Sequence, residues 1–235
     1  MAIIPARLRA RRLQDKPLQN LAGEPIIWRV YRQVARCPEI AEVWVAGDHP
    51  SIIDAIERRG GRALLVPEAC HSGTERVALA NRTIGAERVI NVQGDEPFVG
   101  PDLLRPLVQA LEDGHPIATL GAPLPDRAKE DPHAVKVVSD RQSRALYFSR
   151  ASIPGRLHVG VYAFSAQALD AVAYLPRTPL ARAEDLEQLT WLEEGWPIYI
   201  APAPRATLSI DTPADLAEAR ARITGQRPAQ RAERS

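Results

Sequence analysis

Cysteine is scarce in this chain. Only Cys37 and Cys70 occur, in contexts that match neither CxxC nor a His/Cys metal box, which argues against a disulfide scaffold. A surplus of charge is also missing: 30 basic side chains face 29 acidic ones, and a net charge of +1 argues against nucleic-acid or membrane-surface binding driven by bulk electrostatics. No stretch approaches the roughly 18 apolar residues of a membrane span. Met1 leads straight into AIIPAR without the basic start and apolar run of a leader, so a cytoplasmic location is expected. Internal repeats and an interdomain linker are absent as well. After the first apolar run the chain reads ARLRARRL, not the GxGxxG that a dinucleotide-binding oxidoreductase needs.

What is present is ordinary globular material, 45% apolar and 25% charged over 235 residues, enough to bury a substantial core. Ala2–Pro5 reads as a buried first strand. Ile26–Val34 puts Ile26, Ile27, Val30, Tyr31 and Val34 on one helical face. Val43–Ala46 reads as a strand, Pro50–Arg59 as a helix ended by Gly60–Gly61, and Ala63–Val66 as another strand. This βαβαβ order is a doubly wound signature. Ser72 or Thr74 is expected to cap a helix running to about Ile84, followed by a strand at Arg88–Asn91, a helix at Pro101–Leu111 and a strand at Ile117–Pro123. Leu124–His133 reads as a polar surface loop. AVKVV, RALYFS and HVGVYAF then follow as strands without intervening helices, which implies antiparallel pairing and a mixed, mostly parallel sheet in an α/β fold. A helix is expected over Ala183–Glu193 with its acidic residues mostly facing solvent, and a strand at Ile198–Ala201. Another strand is expected to end at Ser209–Asp211 before a helix at Ala214–Ile223, capped by Thr212 with Pro213 at its first position. The division is a domain over 1–224 and a basic tail over 225–235 without apolar residues, expected to be disordered.

Three features carry chemistry. VINVQGDEP at Val89–Pro97 turns sharply at Gly94–Asp95, which places the carboxylates of Asp95 and Glu96 at a strand's carboxyl end, where open α/β sheets bind ligands. An Asp-Glu pair there suits either a solvated turn or a metal or substrate site. The loop after the first strand carries Arg7, Arg9, Arg11, Arg12 and Lys16, opposed only by Asp15; it suits a solvated face or a triphosphate. In HSGTER, Gly73 lets backbone approach a ligand, although a plain helix N-cap is enough to explain the bare motif.

Taken together, IIPAR with RL and KPL, SGTER, NVQGDEP, AVKVV, ALYFSR with IP, HVGVY, LEQL and DTPADL resemble, in order and over Ile3 to about Arg222, the CMP-KDO synthetases (3-deoxy-manno-octulosonate cytidylyltransferases). The resemblance implies a nucleotide-diphospho-sugar transferase-like, Rossmann-like fold. The reaction it implies transfers CMP from CTP to the anomeric hydroxyl of 3-deoxy-D-manno-octulosonate (KDO) with release of pyrophosphate, for lipopolysaccharide or other outer-glycan synthesis. Carried over residue by residue, the catalytic groups are Asp95, Asp211, Lys16 and Arg7. The nucleotide site comprises Ala6, Arg7, Arg12, Lys16, Ser72, Gly73, Arg76, Gln93 and Asp95. The acidic sugar meets Arg150, His158, Tyr162, Glu187 and Gln188. Asp95 and Asp211 would hold Mg²⁺, a hard cation that takes only one or two protein carboxylates beside water and phosphate. The resemblance further implies a homodimer.

Four positions depart from the pattern. Gln14–Asp15 replaces a Pro-Gly before the lysine, His71 a Gln and Thr190 an Arg, while only Gly155, Arg156 and Leu157 separate Pro154 from His158 where the family has a longer segment. The sugar therefore stays open between KDO, its 8-amino derivative and a nonulosonate. A non-catalytic nucleotide-binding relative is the rival of another class.

Overall fold

The computed structural model describes residues 1–9 and 12–225. Strands β1 (Ala2–Ala6), β2 (Asn20–Leu21) and β3 (Glu24–Pro25) precede helix α1 (Ile26–Ala35). There follow β4 (Val43–Gly47), α2 (Pro50–Glu57), β5 (Arg62–Leu65), α3 (Gly73–Ile84) and β6 (Arg88–Asn91). The middle of the chain gives α4 (Pro101–Glu112), β7 (Ile117–Ala122), α5 (Asp126–Lys129), β8 (Lys136–Ser139), β9 (Ala145–Ser149) and β10 (Arg156–Ser165). It ends with α6 (Ala166–Val172), α7 (Pro179–Glu184), α8 (Gln188–Glu193), β11 (Ile198–Pro202) and α9 (Pro213–Thr224).

Local chemistry accounts for most boundaries. Ile26, Ile27, Val30 and Val34 are all fully buried at helical spacing, each worth about 1.5–3 kcal/mol. The Ser72 hydroxyl accepts from the Glu75 N–H at 3.1 Å and starts α3, which Gly85 ends at φ 78°. Thr212 and Asp215 form a reciprocal capping box on α9, with Pro213 in the first turn and Gly225 closing it.

The main path of the sheet runs β11-β7-β10-β6-β1-β4-β5, with β8 joined to the start of β10 and β9 to β8. β10 alone runs against the other six strands of the path, pairing antiparallel with β6 and β7, so the sheet is mixed and mostly parallel as expected. One apolar core lies under α1, α2, α4 and α9 on one face. The other, with Phe148, Phe164 and Trp191, lies under α3, α6 and α8.

Four expectations are corrected. Residues before Asp211 join no strand; the Ile210 N–H bonds the Asp95 carbonyl at 2.9 Å instead. The helix expected over Ala183–Glu193 is two, because Asp185 takes a left-handed φ of 51° and breaks the ladder between α7 and α8. Its acids do not mostly face solvent: Asp185 and Glu193 are exposed, but Glu184 and Glu187 are half-buried, and the neighbouring Gln188 is buried. The loop after β7 contains the single turn α5. Of the expected tail, residues 226–235 lie outside the described residues, as does Arg11 of the basic loop.

Candidate active site

Parallel strands end together at one sheet edge, and the loops after β1 and β6 meet there. Gly94 makes that approach possible: a Cβ on it would sit 2.8 Å from the Pro5 carbonyl oxygen, a backbone atom that cannot yield. The turn therefore projects Asp95 toward the loop after β1. The Ile210–Asp95 backbone bond brings the loop before α9 to the same place, and Asp215 accepts from the Asp211 N–H at 3.1 Å. Two carboxylates far apart in the chain thus face one point.

Lys16 occupies that point. It opens a short 3₁₀ turn (Lys16–Leu18) after Asp15, whose φ of 48° is the left-handed geometry that a glycine would adopt freely. Its ammonium lies 2.5 Å from Asp95 Oδ2 and 3.0 Å from Asp211 Oδ1. Burial alone would depress the lysine pKa, but Asp95 and then Asp211 outweigh it and hold the pKa above its ordinary value. Arg12 pairs with the outer oxygen of Asp211 at 3.4 Å.

A cavity of about 230 Å³ opens beside this cluster, lined by Ala6, Arg7, Lys16, His71, Ser72, Gly73, Arg76, Gln93, Asp95 and Asp211 among others. It collects every residue expected at the nucleotide except Arg12. The N-terminus of α3 points N–H groups into it, a geometry suited to anions. Arg76 is buried with its guanidinium committed to the Val66 and Glu68 carbonyls, so it holds the Val66–Cys70 segment as a wall.

A larger cavity, about 1100 Å³, lies across Asp211, which lines both. Arg150 and His158 line it together with Arg12, Glu96, Asp131 and His133. Arg150 is pinned: its N–H donates to Glu184 Oε2 at 2.9 Å and its Nε to the Glu184 carbonyl at 3.0 Å. The Glu184 pKa is lowered although burial would raise it, because the Arg150 N–H and Ser149 hydroxyl bond its charged form. His158 is half-buried with its ring edge-on to Phe148, Nε2 lying 2.9 Å from the Thr119 hydroxyl, and desolvation pushes its pKa down to about 3. Glu96 is buried on the other wall with its pKa pushed up to about 8 by burial and then by Asp95.

The remaining residues expected at the sugar lie elsewhere. Tyr162 is buried between His158, Phe164 and Trp191, and burial and then Glu187 raise its pKa. Gln188 is also buried. Glu187 accepts from the Thr74 hydroxyl and faces a third cavity of about 460 Å³ behind the start of α3, with His71 and Thr190; burial raises its pKa. Sequence reasoning does not single out Glu184 or Lys136 as functional residues. Each depends on a long-range partner that no local pattern marks.

A basic loop, a helix N-terminus and paired aspartates at the carboxyl edge of a mixed sheet define a nucleotidyltransferase of the Rossmann-like kind. The profile of the family described as cytidylyltransferase matches residues 1–200. A 3-deoxy-manno-octulosonate cytidylyltransferase from an Anaeromyxobacter species is 44% identical over 93% of this chain and 94% of its own, and one from Syntrophobacter fumaroxidans is 43% identical over 92% and 93%. The structure of CMP:2-keto-3-deoxy-manno-octonic acid synthetase complexed with CTP superposes with a TM-score of 0.90 at 36% identity, covering 95% of this chain and 98% of that one. The chain belongs to the cytidylyltransferases and, among them, to the CMP-KDO synthetase family.

Proposed function

We propose that this protein transfers CMP from CTP to the anomeric hydroxyl of KDO, releasing pyrophosphate, with Mg²⁺ as cofactor. The observation that carries the reading is the placement of Lys16 between Asp95 and Asp211, at the junction of a small anion-suited cavity and a larger one walled by Arg150 and His158.

The residues fit a magnesium ion. One ammonium already contacts both aspartates, so a cation there can touch both, and no third His, Cys, Asp or Glu gathers with them among the described residues. Bound Mg²⁺ would offset charge on the α-phosphate and acidify the sugar hydroxyl, so no histidine base is needed. Arg7 and Lys16 would hold the outgoing pyrophosphate, the start of α3 at Ser72–Gly73 would donate N–H groups to the nucleotide, and Gln93 would meet the cytidine. Arg150 would take the sugar carboxylate and neutral His158 a hydroxyl. A homodimer is proposed on family grounds alone. No helix among the described residues is long and apolar enough to cross a membrane.

The test is pyrophosphate release from CTP and Mg²⁺ with KDO, 8-amino-KDO or N-acetylneuraminate supplied separately, and with ATP, UTP and GTP as nucleotide controls. Release with KDO and CTP is expected. Release only with another acidic sugar keeps the chemistry and changes the substrate; CTP binding without release from any of them indicates a non-catalytic relative.

A further inference from the structure

Lys136, the first residue of β8, is 0% exposed. A buried ammonium carries a heavy desolvation cost unless each N–H finds an acceptor. Here all three do: the carbonyls of Asp131 at 3.0 Å, Ala134 at 2.9 Å and Arg150 at 2.7 Å. These acceptors are neutral backbone, and no ion pair to Lys136 occurs among the described residues, so neutralising a carboxylate is not the purpose of the charge. A well-packed apolar side chain would avoid the desolvation altogether.

The acceptors explain the lysine. They belong to two separate segments, residues 131–134 and the residue following β9, and Asp131, His133, Ala134 and Arg150 all line the larger cavity. The Arg150 guanidinium also reaches the His133 carbonyl at 3.4 Å. One ammonium therefore knots the cavity's loop to the backbone beneath Arg150 and places a cation behind that wall, where low dielectric lets it act over a longer range than an exposed charge.

We propose that Lys136 is a positioning residue for the acidic sugar: it fixes the main chain of Arg150 and the 131–134 loop, and so aims the guanidinium at the substrate carboxylate without touching the substrate. The inference rests on the reading that Arg150 faces that carboxylate.

The test compares Lys136→Met, Arg150→Ala and the double variant by steady-state kinetics, varying KDO and CTP in turn. Lys136→Met is expected to raise the sugar KM about tenfold, as a misplaced binding group does, while the CTP KM stays within about twofold. The double variant is expected to be no worse than Arg150→Ala, because the lysine acts through the arginine. An unchanged sugar KM in Arg150→Ala overturns the underlying reading and the proposal with it. A raised KM there beside an unchanged one in Lys136→Met, equal rises in both KM values, or additive effects in the double variant overturn the role of Lys136 alone. If Lys136→Met does not fold, Lys136→Arg carries the test, since a planar fork cannot serve three converging carbonyls: a raised sugar KM at constant CTP KM supports the proposal, and any other pattern overturns it.

Discussion

Lys16 Nζ lies 2.5 Å from Asp95 Oδ2 although the two residues stand 79 positions apart. This contact and the one to Asp211 keep the lysine charged in a partly buried site. With the ammonium removed, the triphosphate loses a point cation. Lys16→Ala is expected to raise the CTP KM by roughly ten- to a hundredfold, the scale of one or two charge-assisted contacts. Steady-state kinetics at saturating sugar checks this, and an unchanged KM would put the basic loop off the phosphate path.

Asp95→Asn keeps the size of the side chain and removes its charge. CTP binding by calorimetry is expected to stay measurable, while turnover falls by about two orders of magnitude or more, the scale of lost metal-assisted charge stabilisation. Near-normal turnover would exclude Asp95 as the metal ligand. Chelation of divalent cations is expected to stop wild-type turnover and their return to restore it.

His158 makes stability depend on pH in a definite direction. Its pKa is about 3 in the fold, against about 6.5 when unfolded, so between those values the unfolded chain binds a proton that the native protein does not. Its contribution is complete above pH 6.5 and declines as pH falls, by about tenfold in the folding constant per pH unit. Urea unfolding from pH 7 to 4 should show wild type losing more stability than His158→Gln. Equal slopes would mean that the native ring protonates.

Gly155 stands at φ 147°, where a Cβ would run into the Val137 carbonyl as β10 meets β8. Gly155→Ala is expected to cost roughly 2–4 kcal/mol through backbone strain and overpacking. Its Tm should fall by about 5–15 °C for a chain of this size, measured by calorimetry. A wild-type Tm would show that the turn relaxes freely.

Elements written in local chemistry are legible in the sequence itself: the apolar face of α1, the Ser72 cap of α3, and Thr212–Pro213 at α9. The meeting of Arg7 and Lys16 with Asp95 is legible because strand ends of a doubly wound sheet converge, while Ser72 and Gln93 are placed beside them by the family resemblance. The strand expected before Asp211 fails because the segment is held by the backbone bond from Ile210 to Asp95 and not by a ladder, a difference that a one-dimensional pattern does not carry. Leucines spaced by three read alike in one helix or two, which hides the break at Asp185. Lys136 within AVKVV reads as the polar member of an alternating strand, and its burial comes from a loop that folds over it.

β10 bonds to β6, β7 and β8, and it is made after all three of them. A chain emerging from the ribosome can pair β1, β4, β5 and β6 once Asn91 is out, since none of those contacts needs later residues. β7 waits unpaired with that sheet until residues 156–165 arrive to stand between them, and Asp211 follows later still. The growing protein thus holds Arg7, Ser72, Gln93 and Asp95 long before Asp211 joins them at the cavity they line, and on the mechanism proposed above chemistry becomes possible only near the end of synthesis.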